Sequence, residues 1–150
     1  MTSKLRAVNE TRLRVRYAET DQMGVVYHSN HFIWFEVGRV ELLRQLGFSY
    51  RDMESKDGRF IAVAEAKCRY RAPAHYDEEI VVRTEMLNVR DSVIHFGYEL
   101  RRAEDSALIR YGVGLPSTTT AVNESGVSTR STLASVMRPR GPRRFCVRIE

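Results

Sequence analysis

The chain of 150 residues has no long apolar run and only two cysteines. No stretch approaches the roughly 20 apolar residues that a transmembrane helix needs, and the N-terminus lacks the apolar core of a secretory signal. Cys68 and Cys146 stand far apart and outside any CxxC pattern, which argues against a disulfide framework or a zinc site. We therefore expect reduced thiols, a cytoplasmic location and no integral membrane segment.

The short motifs of phosphate and serine chemistry are also missing. The sequence contains no P-loop, no GxSxG element and no dinucleotide-binding fingerprint. Two histidines, His28 and His31, lie near Asp21 and Glu36, but their spacing matches no recognised metal-ligand pattern. We predict neither a metal site nor a cofactor.

The composition indicates one folded domain. Hydrophobic residues make up 43% of the chain and charged residues 29%, an ordinary balance for a globular protein. Much of the formal net charge of +5 comes from arginines in residues 138–144. We predict a single domain over residues 1–137 and a basic tail over 138–150, which is either a solvated extension or a contact for polyanions such as coenzyme A phosphates. Because the core shows no aromatic–basic surface, we expect no nucleic-acid partner.

Hydrophobic periodicity predicts an α+β fold. Alternation over residues 11–17 predicts a half-buried strand, and steps of three and four over residues 31–46 predict a helix that ends at Gly47. Strand patterns separated by short turns follow at 60–71, 79–90, 92–102 and from residue 107. The helix stripe that we expect to be buried consists of Ile33, Val37, Val40, Leu43 and Leu46. The expected architecture is one long, broadly apolar helix with a curved antiparallel sheet around it.

The segment between the first strand and the helix carries polar groups that suit hydrolysis. A loop that enters a helix presents free backbone N–H groups and the positive end of the helix dipole, which favour a developing oxyanion. Asp21, His28 and Tyr17 lie in or beside this loop, and Gly24 allows the backbone to approach a ligand closely. Asp and Asn in such loops are also ordinary turn formers and caps, so spacing alone leaves both interpretations open.

The same segment resembles the active-site signature of the 4-hydroxybenzoyl-CoA thioesterase family of hotdog proteins, and in particular its Tol–Pal-associated branch. The matching residues are Tyr17, Glu19, Thr20, Asp21, Gly24, Val25, Val26, Tyr27, His28, Asn30 and Phe32. The likeness continues through Glu36 and Arg39, then Leu46 and Gly47, then residues 70–74 and Asp77. It covers about residues 11–110.

This resemblance implies a long helix wrapped by an antiparallel sheet of about five strands, in subunits that form dimers or tetramers with active sites at the dimer interface. It implies an acyl-CoA thioesterase in which Asp21 acts as nucleophile or as general base and the backbone N–H of His28 polarises the thioester carbonyl. The side chains of Tyr17 and His28 complete the implied catalytic set. The implied substrate-binding residues are Gly24, Val25, Tyr27 and Asn30.

The resemblance weakens after residue 109, because Gly112, Gly114 and Pro116 interrupt the expected strand. A final strand is expected at residues 118–122. This altered C-terminal part motivates an alternative hypothesis, a non-catalytic hotdog module that binds acyl groups or a protein partner. For an enzyme, Arg69, Arg71 and Arg90 are candidates for binding the phosphates of coenzyme A. The acyl chain length and the carrier, coenzyme A or acyl carrier protein, stay open.

Overall fold

The computed structural model of the chain describes residues 7–56, 60–90, 93–112 and 144–149. Its helices are α1 (Asn30–Gln45) and α2 (Tyr50–Ser55), and a 3₁₀ turn spans Tyr17–Glu19. Its strands are β1 (Ala7–Arg14), β2 (Phe60–Ala66), β3 (Arg69–Tyr70), β4 (Glu79–Arg90), β5 (Val93–Arg102), β6 (Leu108–Gly112) and β7 (Arg144–Ile149). No helix within these residues is long and apolar enough to cross a membrane.

The described strands form one seven-stranded sheet with the central order β1-β4-β5-β6-β3. This path is antiparallel throughout, and β4, β5 and β6 follow one another as the turn spacing predicted. Strand β7 pairs in parallel with β2 and with β5. The predicted α+β architecture of one long helix and an antiparallel sheet is confirmed, with a parallel extension that the sequence patterns did not predict.

Helix α1 packs on β1 and β4, and Gly38 permits its close approach to the sheet. A Cβ atom at position 38 would lie 2.2 Å from Oγ1 of Thr84 and 2.8 Å from Cγ1 of Val82, so only a residue without a side chain fits. The core between helix and sheet contains the large buried side chains Trp34, Phe35, Leu42, Leu43, Ile80, Met86, Ile94, Phe96, Tyr98 and Leu100.

The buried face of α1 agrees with the predicted stripe at Leu43 and, in part, at Leu46, but the prediction was wrong at Ile33 and Val37. Ile33 and Val37 are 48% and 38% exposed. The buried positions of the helix are His31, Trp34, Phe35, Gly38, Arg39, Leu42 and Leu43. Burial of Trp34 and Phe35 removes more apolar surface from water than burial of Ile33 and Val37 would, which favours this rotation of the helix.

Several predicted boundaries also shift. Strand β1 ends before the predicted limit at residue 17, because the chain enters the 3₁₀ turn there. The strand predicted at 60–71 is divided into β2 and β3, with Cys68 between them. Residues 144–149 of the predicted basic tail form β7, whereas the strand expected at 118–122 lies outside the described residues. The division of the chain at residue 137 stays a prediction.

Candidate active site

The loop that joins β1 to α1 contains a tight turn that begins at Asp21. The backbone N–H of Gly24 donates to the carbonyl oxygen of Asp21 at 3.0 Å, and the N–H of Asp21 donates to the carbonyl oxygen of Val25 at 2.8 Å. Gly24 has a φ of +77°, in the left-handed region where a residue with a Cβ is strained. No described atom beyond its chain neighbours lies within 4 Å of the place that a Cβ would occupy. The backbone conformation, and not crowding, therefore requires glycine here.

The Asp21 carboxylate is half-buried and oriented by its own loop. Its Oδ1 accepts a hydrogen bond from the backbone N–H of Met23 at 2.8 Å, the local contact that is typical of Asp in turns. Among the described residues, this is the hydrogen bond that the carboxylate accepts, and none of the described cations forms an ion pair with it. The carboxylate is thus held in place without being neutralised by a neighbouring charge.

The loop reaches the N-terminus of α1 at residues 28–30. The backbone N–H of Tyr27 and the side-chain amide of Asn30 both donate to the carbonyl oxygen of Glu19, at 2.9 and 2.8 Å. Ser29 is the residue before the helix, and its side chain forms no cap hydrogen bond. No described residue accepts a hydrogen bond from the backbone N–H of His28. That donor remains available at the positive end of the helix dipole.

The peptide group that follows His28 is held by two aromatic side chains. The hydroxyl of Tyr70 donates to the carbonyl oxygen of His28 at 3.0 Å, and Nδ1 of His31 lies 3.1 Å from the same oxygen. The Tyr70 ring lies edge-on to the rings of His28 and His31, with centroid distances of 6.3 and 5.1 Å. The imidazole of His28 itself is exposed. The strand β3 therefore orients the start of the helix.

A cavity of 270 Å³ lies beside this helix terminus. It is lined by Val26, His28, His31, Tyr70 and residues 71–74. This lining is largely apolar and aromatic, with Arg71 as its arginine. Of the three predicted catalytic residues, His28 lines the cavity, whereas Asp21 and Tyr17 are not in its wall.

The other predicted site residues differ in their exposure and in their contacts. Tyr17 is 77% exposed, and its ring packs edge-on against Tyr76 at 5.6 Å. Val25 is half-buried and forms an isolated bridge with His75. Tyr27 is 48% exposed with its ring 4.3 Å from that of His28. The amide of Asn30 is occupied by the carbonyl oxygen of Glu19, so in this conformation it supports the loop.

Residues 71–78 hold the loop from one side. The backbone N–H of Val26 donates to the carbonyl oxygen of Ala74 at 2.8 Å. The Glu78 carboxylate accepts a hydrogen bond from the backbone N–H of His75 at 3.0 Å and forms an ion pair with Arg102 at 3.2 Å. Burial raises the pKa of Glu78, but the hydrogen bonds from His75 and Arg102 outweigh it and lower that pKa. The segment is therefore fixed by a charged carboxylate at neutral pH.

A second, larger cleft of 430 Å³ lies beside β1 and the start of β4. Its wall contains Arg12, Arg14, residues 76–79 and residues 102–104. The arginines are paired with carboxylates: Arg12 with Glu79 at 3.0 Å, Arg14 with Asp77 at 3.7 Å, and Arg102 with Glu78 at 3.2 Å. Six of the seven charged side chains in its wall therefore pair with one another.

The described residues contain no group of three or more His, Cys, Asp or Glu side chains that could hold a metal ion. Arg69 and Arg71, two of the predicted phosphate-binding residues, are exposed, and Arg71 lines the 270 Å³ cavity. The side chain of the third, Arg90, lies outside the described residues.

Three residues shape the site although the sequence did not assign them to it. Glu19 is 4% exposed, and its Oε1 accepts a hydrogen bond from Nε1 of Trp34 at 3.0 Å. His31 is 3% exposed, and together with Tyr70 it lines the cavity. Glu19 and Tyr70 are among the residues shared with the resembled family, and that likeness was the available signal. Periodicity could not reveal contacts between a loop, a helix terminus and a strand.

Comparison with known proteins assigns the chain to a family. The model of the thioesterase superfamily matches residues 23–109. The chain is 44% identical over 93 residues to YneP of Bacillus subtilis (strain 168), whose name marks it as a candidate acyl-CoA thioesterase; the match covers 62% of this chain and 67% of YneP. It is 32% identical over 96 residues to the acyl-CoA thioester hydrolase YbgC of Escherichia coli O157:H7, covering 64% of this chain and 71% of YbgC.

A solved structure supports the same assignment. A DHNA-CoA thioesterase from Staphylococcus aureus is 34% identical and superposes with a TM-score of 0.64, covering 69% of this chain and 68% of that chain. The chain therefore belongs to the thioesterase superfamily, and the predictions of a hotdog fold and of an enzyme that hydrolyses thioesters are confirmed.

Proposed function

We propose that the chain is an acyl-CoA thioesterase in which the Asp21 carboxylate cleaves the thioester bond, either as nucleophile or as general base. One observation carries the proposal: an oriented, unneutralised carboxylate lies in the same short loop as the free backbone N–H of His28 at a helix N-terminus. Acyl transfer needs a nucleophile or base on one side of the carbonyl carbon and an oxyanion donor on the other.

Both routes use the same groups. As nucleophile, the carboxylate attacks the carbonyl carbon, the C–S bond breaks, and coenzyme A leaves as its thiolate; water then hydrolyses the mixed anhydride and restores Asp21. As general base, the carboxylate takes a proton from a water molecule, whose oxygen attacks the same carbon; the C–S bond then breaks, and coenzyme A leaves as its thiolate, which regains that proton. In either route the carbonyl oxygen gains negative charge, which the His28 N–H and the helix dipole stabilise.

The cavity beside the helix terminus is the proposed position of the acyl group. Its lining of Val26, His31, Tyr70 and residues 71–74 suits an apolar or aromatic acyl chain, because burial of apolar surface drives binding there. The His28 imidazole at its wall is a proposed hydrogen-bond partner of the substrate. Arg71 is the proposed contact for the anionic part of coenzyme A, since a guanidinium group binds phosphate with a fork of donors. Val25, Tyr27, Asn30 and Gly24 shape the entrance in this proposal.

We further propose that a second copy of the chain completes the site. Exposed apolar side chains lie on one face of α1, at Ile33 and Val37, and on β2, at Phe60 and Val63. Exposed apolar groups of this kind are stabilised when another subunit covers them. The highly exposed hydroxyl of Tyr17 would then face substrate held between two subunits. Sedimentation analysis tests this assembly: a dimer or tetramer is expected, and Val37→Asp should shift the protein toward smaller species.

The finer family position and the compartment are also proposals. The shared Tyr17, Asp21 and His28, and the 32% identity to YbgC, support placement in the branch that the sequence resembled. The cytoplasm is the proposed place of action.

The direct test is thiol release from a panel of short-, medium- and long-chain and aromatic acyl-CoAs. We expect turnover of at least one member of the panel. The alternative of a non-catalytic acyl-binding module predicts binding of the same compounds without thiol release, and that result would overturn the proposed function. Parallel assays with matched acyl carrier protein thioesters identify the carrier.

A further inference from the structure

We propose that Glu19 is a positioning residue, whose buried carboxylate fixes where Asp21 lies relative to the N-terminus of α1. The inference rests on the proposed role of Asp21. Glu19 does not line the cavity and lies two residues before Asp21, so it acts through the loop and not on the substrate.

The Glu19 side chain connects the end of β1 to the body of α1. Its Oε2 accepts a hydrogen bond from the backbone N–H of Arg16 at 2.8 Å, and Oε1 accepts one from the Arg16 guanidinium at 3.0 Å. Oε1 also accepts the indole N–H of Trp34 at 3.0 Å, one helical turn into α1. A single carboxylate thus receives donors from two separate elements.

The Glu19 main chain makes a second connection, to the start of the helix. Its carbonyl oxygen accepts hydrogen bonds from the backbone N–H of Tyr27 at 2.9 Å and from the Asn30 amide at 2.8 Å. Tyr27 immediately precedes His28, and Asp21 follows Glu19 by two residues. Residues Thr20 and Val26 form a bridge between these points. The hydrogen bonds of the Glu19 main chain and the bridge between Thr20 and Val26 therefore set the position of the Asp21 carboxylate relative to the His28 N–H.

The chemistry of the three donors explains why this residue is a carboxylate. All three groups around the side chain donate hydrogen bonds, and a carboxylate can accept at both oxygens, whereas glutamine would place an NH₂ group against a donor. Burial raises the pKa of Glu19, but the hydrogen bonds from Arg16 and Trp34 outweigh it and lower that pKa, so the group is charged at neutral pH. Glu19→Gln keeps the shape and removes one accepting oxygen.

The test compares Glu19→Gln with the matched variant Glu99→Gln, whose carboxylate pairs with Arg101 on β5. For Glu19→Gln we expect kcat to fall about a hundredfold while KM changes by less than about threefold, because displacement of a reacting group by about 1 Å costs this much. Glu99→Gln should retain wild-type kcat. Urea denaturation of each variant reports whether it keeps a cooperatively folded core.

A double-mutant cycle separates positioning from general damage. If Glu19 acts through Asp21, Glu19→Gln should not lower the residual rate of the Asp21→Asn protein any further. A further loss comparable with that in the wild-type background, or a folded Glu19→Gln protein with unchanged kcat, would overturn the inference.

Two additional measurements keep the inference testable in every case. If Glu19→Gln does not fold, Arg16→Met removes only the exposed guanidinium. We then expect a three- to tenfold lower kcat at roughly constant KM, because a positioning contact is weakened. An unchanged kcat contradicts the role.

If the wild-type protein cleaves no thioester, the proposed function fails separately. Amide hydrogen exchange then decides the structural claim: Glu19→Gln should accelerate exchange across residues 20–28 about tenfold, and unchanged exchange refutes it.

Discussion

Two recesses formed by the described residues differ in size and in the state of their charged groups. The larger cleft of 430 Å³ contains seven charged side chains, and six of them form three ion pairs, Arg12–Glu79, Arg14–Asp77 and Arg102–Glu78. The cavity of 270 Å³ is largely apolar, and Asp21, in the loop that leads to its wall, accepts a hydrogen bond only from its own turn among the described residues. By volume, the charged cleft is the better candidate for a ligand site. By the availability of its polar groups, the apolar cavity is the better candidate.

The comparison shows that carboxylates differ in role according to the groups that pair with them. A carboxylate paired with an exposed arginine is screened and stabilises the fold only slightly. A carboxylate that accepts a hydrogen bond from its own turn, and forms no ion pair with a described cation, is available to a ligand. Asp77 and Asp21 represent the two cases, and the following predictions test whether that distinction holds.

The largest effect is expected from neutralising the two aspartates in parallel. Asp21→Asn should lower kcat about 10²–10⁴-fold, the usual contribution of a general base or nucleophile. Asp77→Asn should leave kcat within about twofold, because it removes only an exposed pair with Arg14 and because asparagine also tolerates the left-handed φ of 65° found there. Steady-state thiol release on the preferred acyl-CoA measures both. Equal losses in the two variants would contradict the distinction.

A smaller effect is expected from the backbone of the turn. Gly24→Ala should destabilise the fold by about 1–2 kcal/mol, the cost of left-handed backbone for a residue with a Cβ. Since no described atom beyond its chain neighbours crowds that position, the loss should not grow with side-chain size between alanine and serine. Urea denaturation of both variants measures the cost. A stability equal to wild type would show that the turn has another accessible conformation.

Acid should destabilise the fold through two carboxylates, Glu19 in the loop before α1 and Glu78 at the charged cleft. Because the folded-state pKa values of Glu19 and Glu78 are lowered, the stability that each contributes is present above the unfolded-state pKa and is lost as pH falls through the folded-state pKa. The free energy of unfolding should therefore fall from neutral pH toward pH of about 3. The Glu19→Gln and Glu78→Gln proteins should each have a lower free energy of unfolding at pH 7 than the wild type. That free energy should also change less than in the wild type as the pH falls. Profiles parallel to wild type would contradict these pKa directions.

The smallest effect is expected from the rim of the charged cleft. Arg12→Ala removes an ion pair whose side chains are 67% and 37% exposed, so the free energy of unfolding should change by no more than about 0.5 kcal/mol. The change should shrink further in 1 M salt. Urea denaturation at low and high salt gives both values. A loss above about 2 kcal/mol would mean that the cleft is held by more than screened pairs.

The sequence predicted the elements better than their faces. Strand β4 has the bounds that alternation predicted, and α1 differs by one residue at each end, because both patterns are long and have clear breaks after them. The buried face of α1 was mispredicted at Ile33 and Val37, which extend the apolar stripe of Leu43 and Leu46 onto the exposed surface of the helix. Periodicity records that a face is apolar, and does not distinguish a core from a surface available to another chain.

The sequence predicted which site residues are neighbours along the chain, but not which residues from other elements contact them. The resemblance located Asp21 and His28 in one loop. In the structure Asp21 begins the turn that Gly24 closes, and His28 lies two residues before α1. Tyr70 reaches the carbonyl oxygen of His28 from 42 residues further on. The Trp34 contact with Glu19 likewise depends on how helix and loop pack. Such contacts follow from tertiary structure and have no signature in local propensity.

The central claim is that a thioester binds with its carbonyl between residue 21 and the His28 N–H. The most direct measurement is a crystal structure of the Asp21→Asn protein with an uncleaved acyl-CoA. The carbonyl oxygen should lie about 2.7–3.1 Å from the backbone nitrogen of His28, and the carbonyl carbon about 3–3.5 Å from the side chain at position 21. A thioester bound in the charged cleft, or one turned away from both groups, would contradict the account.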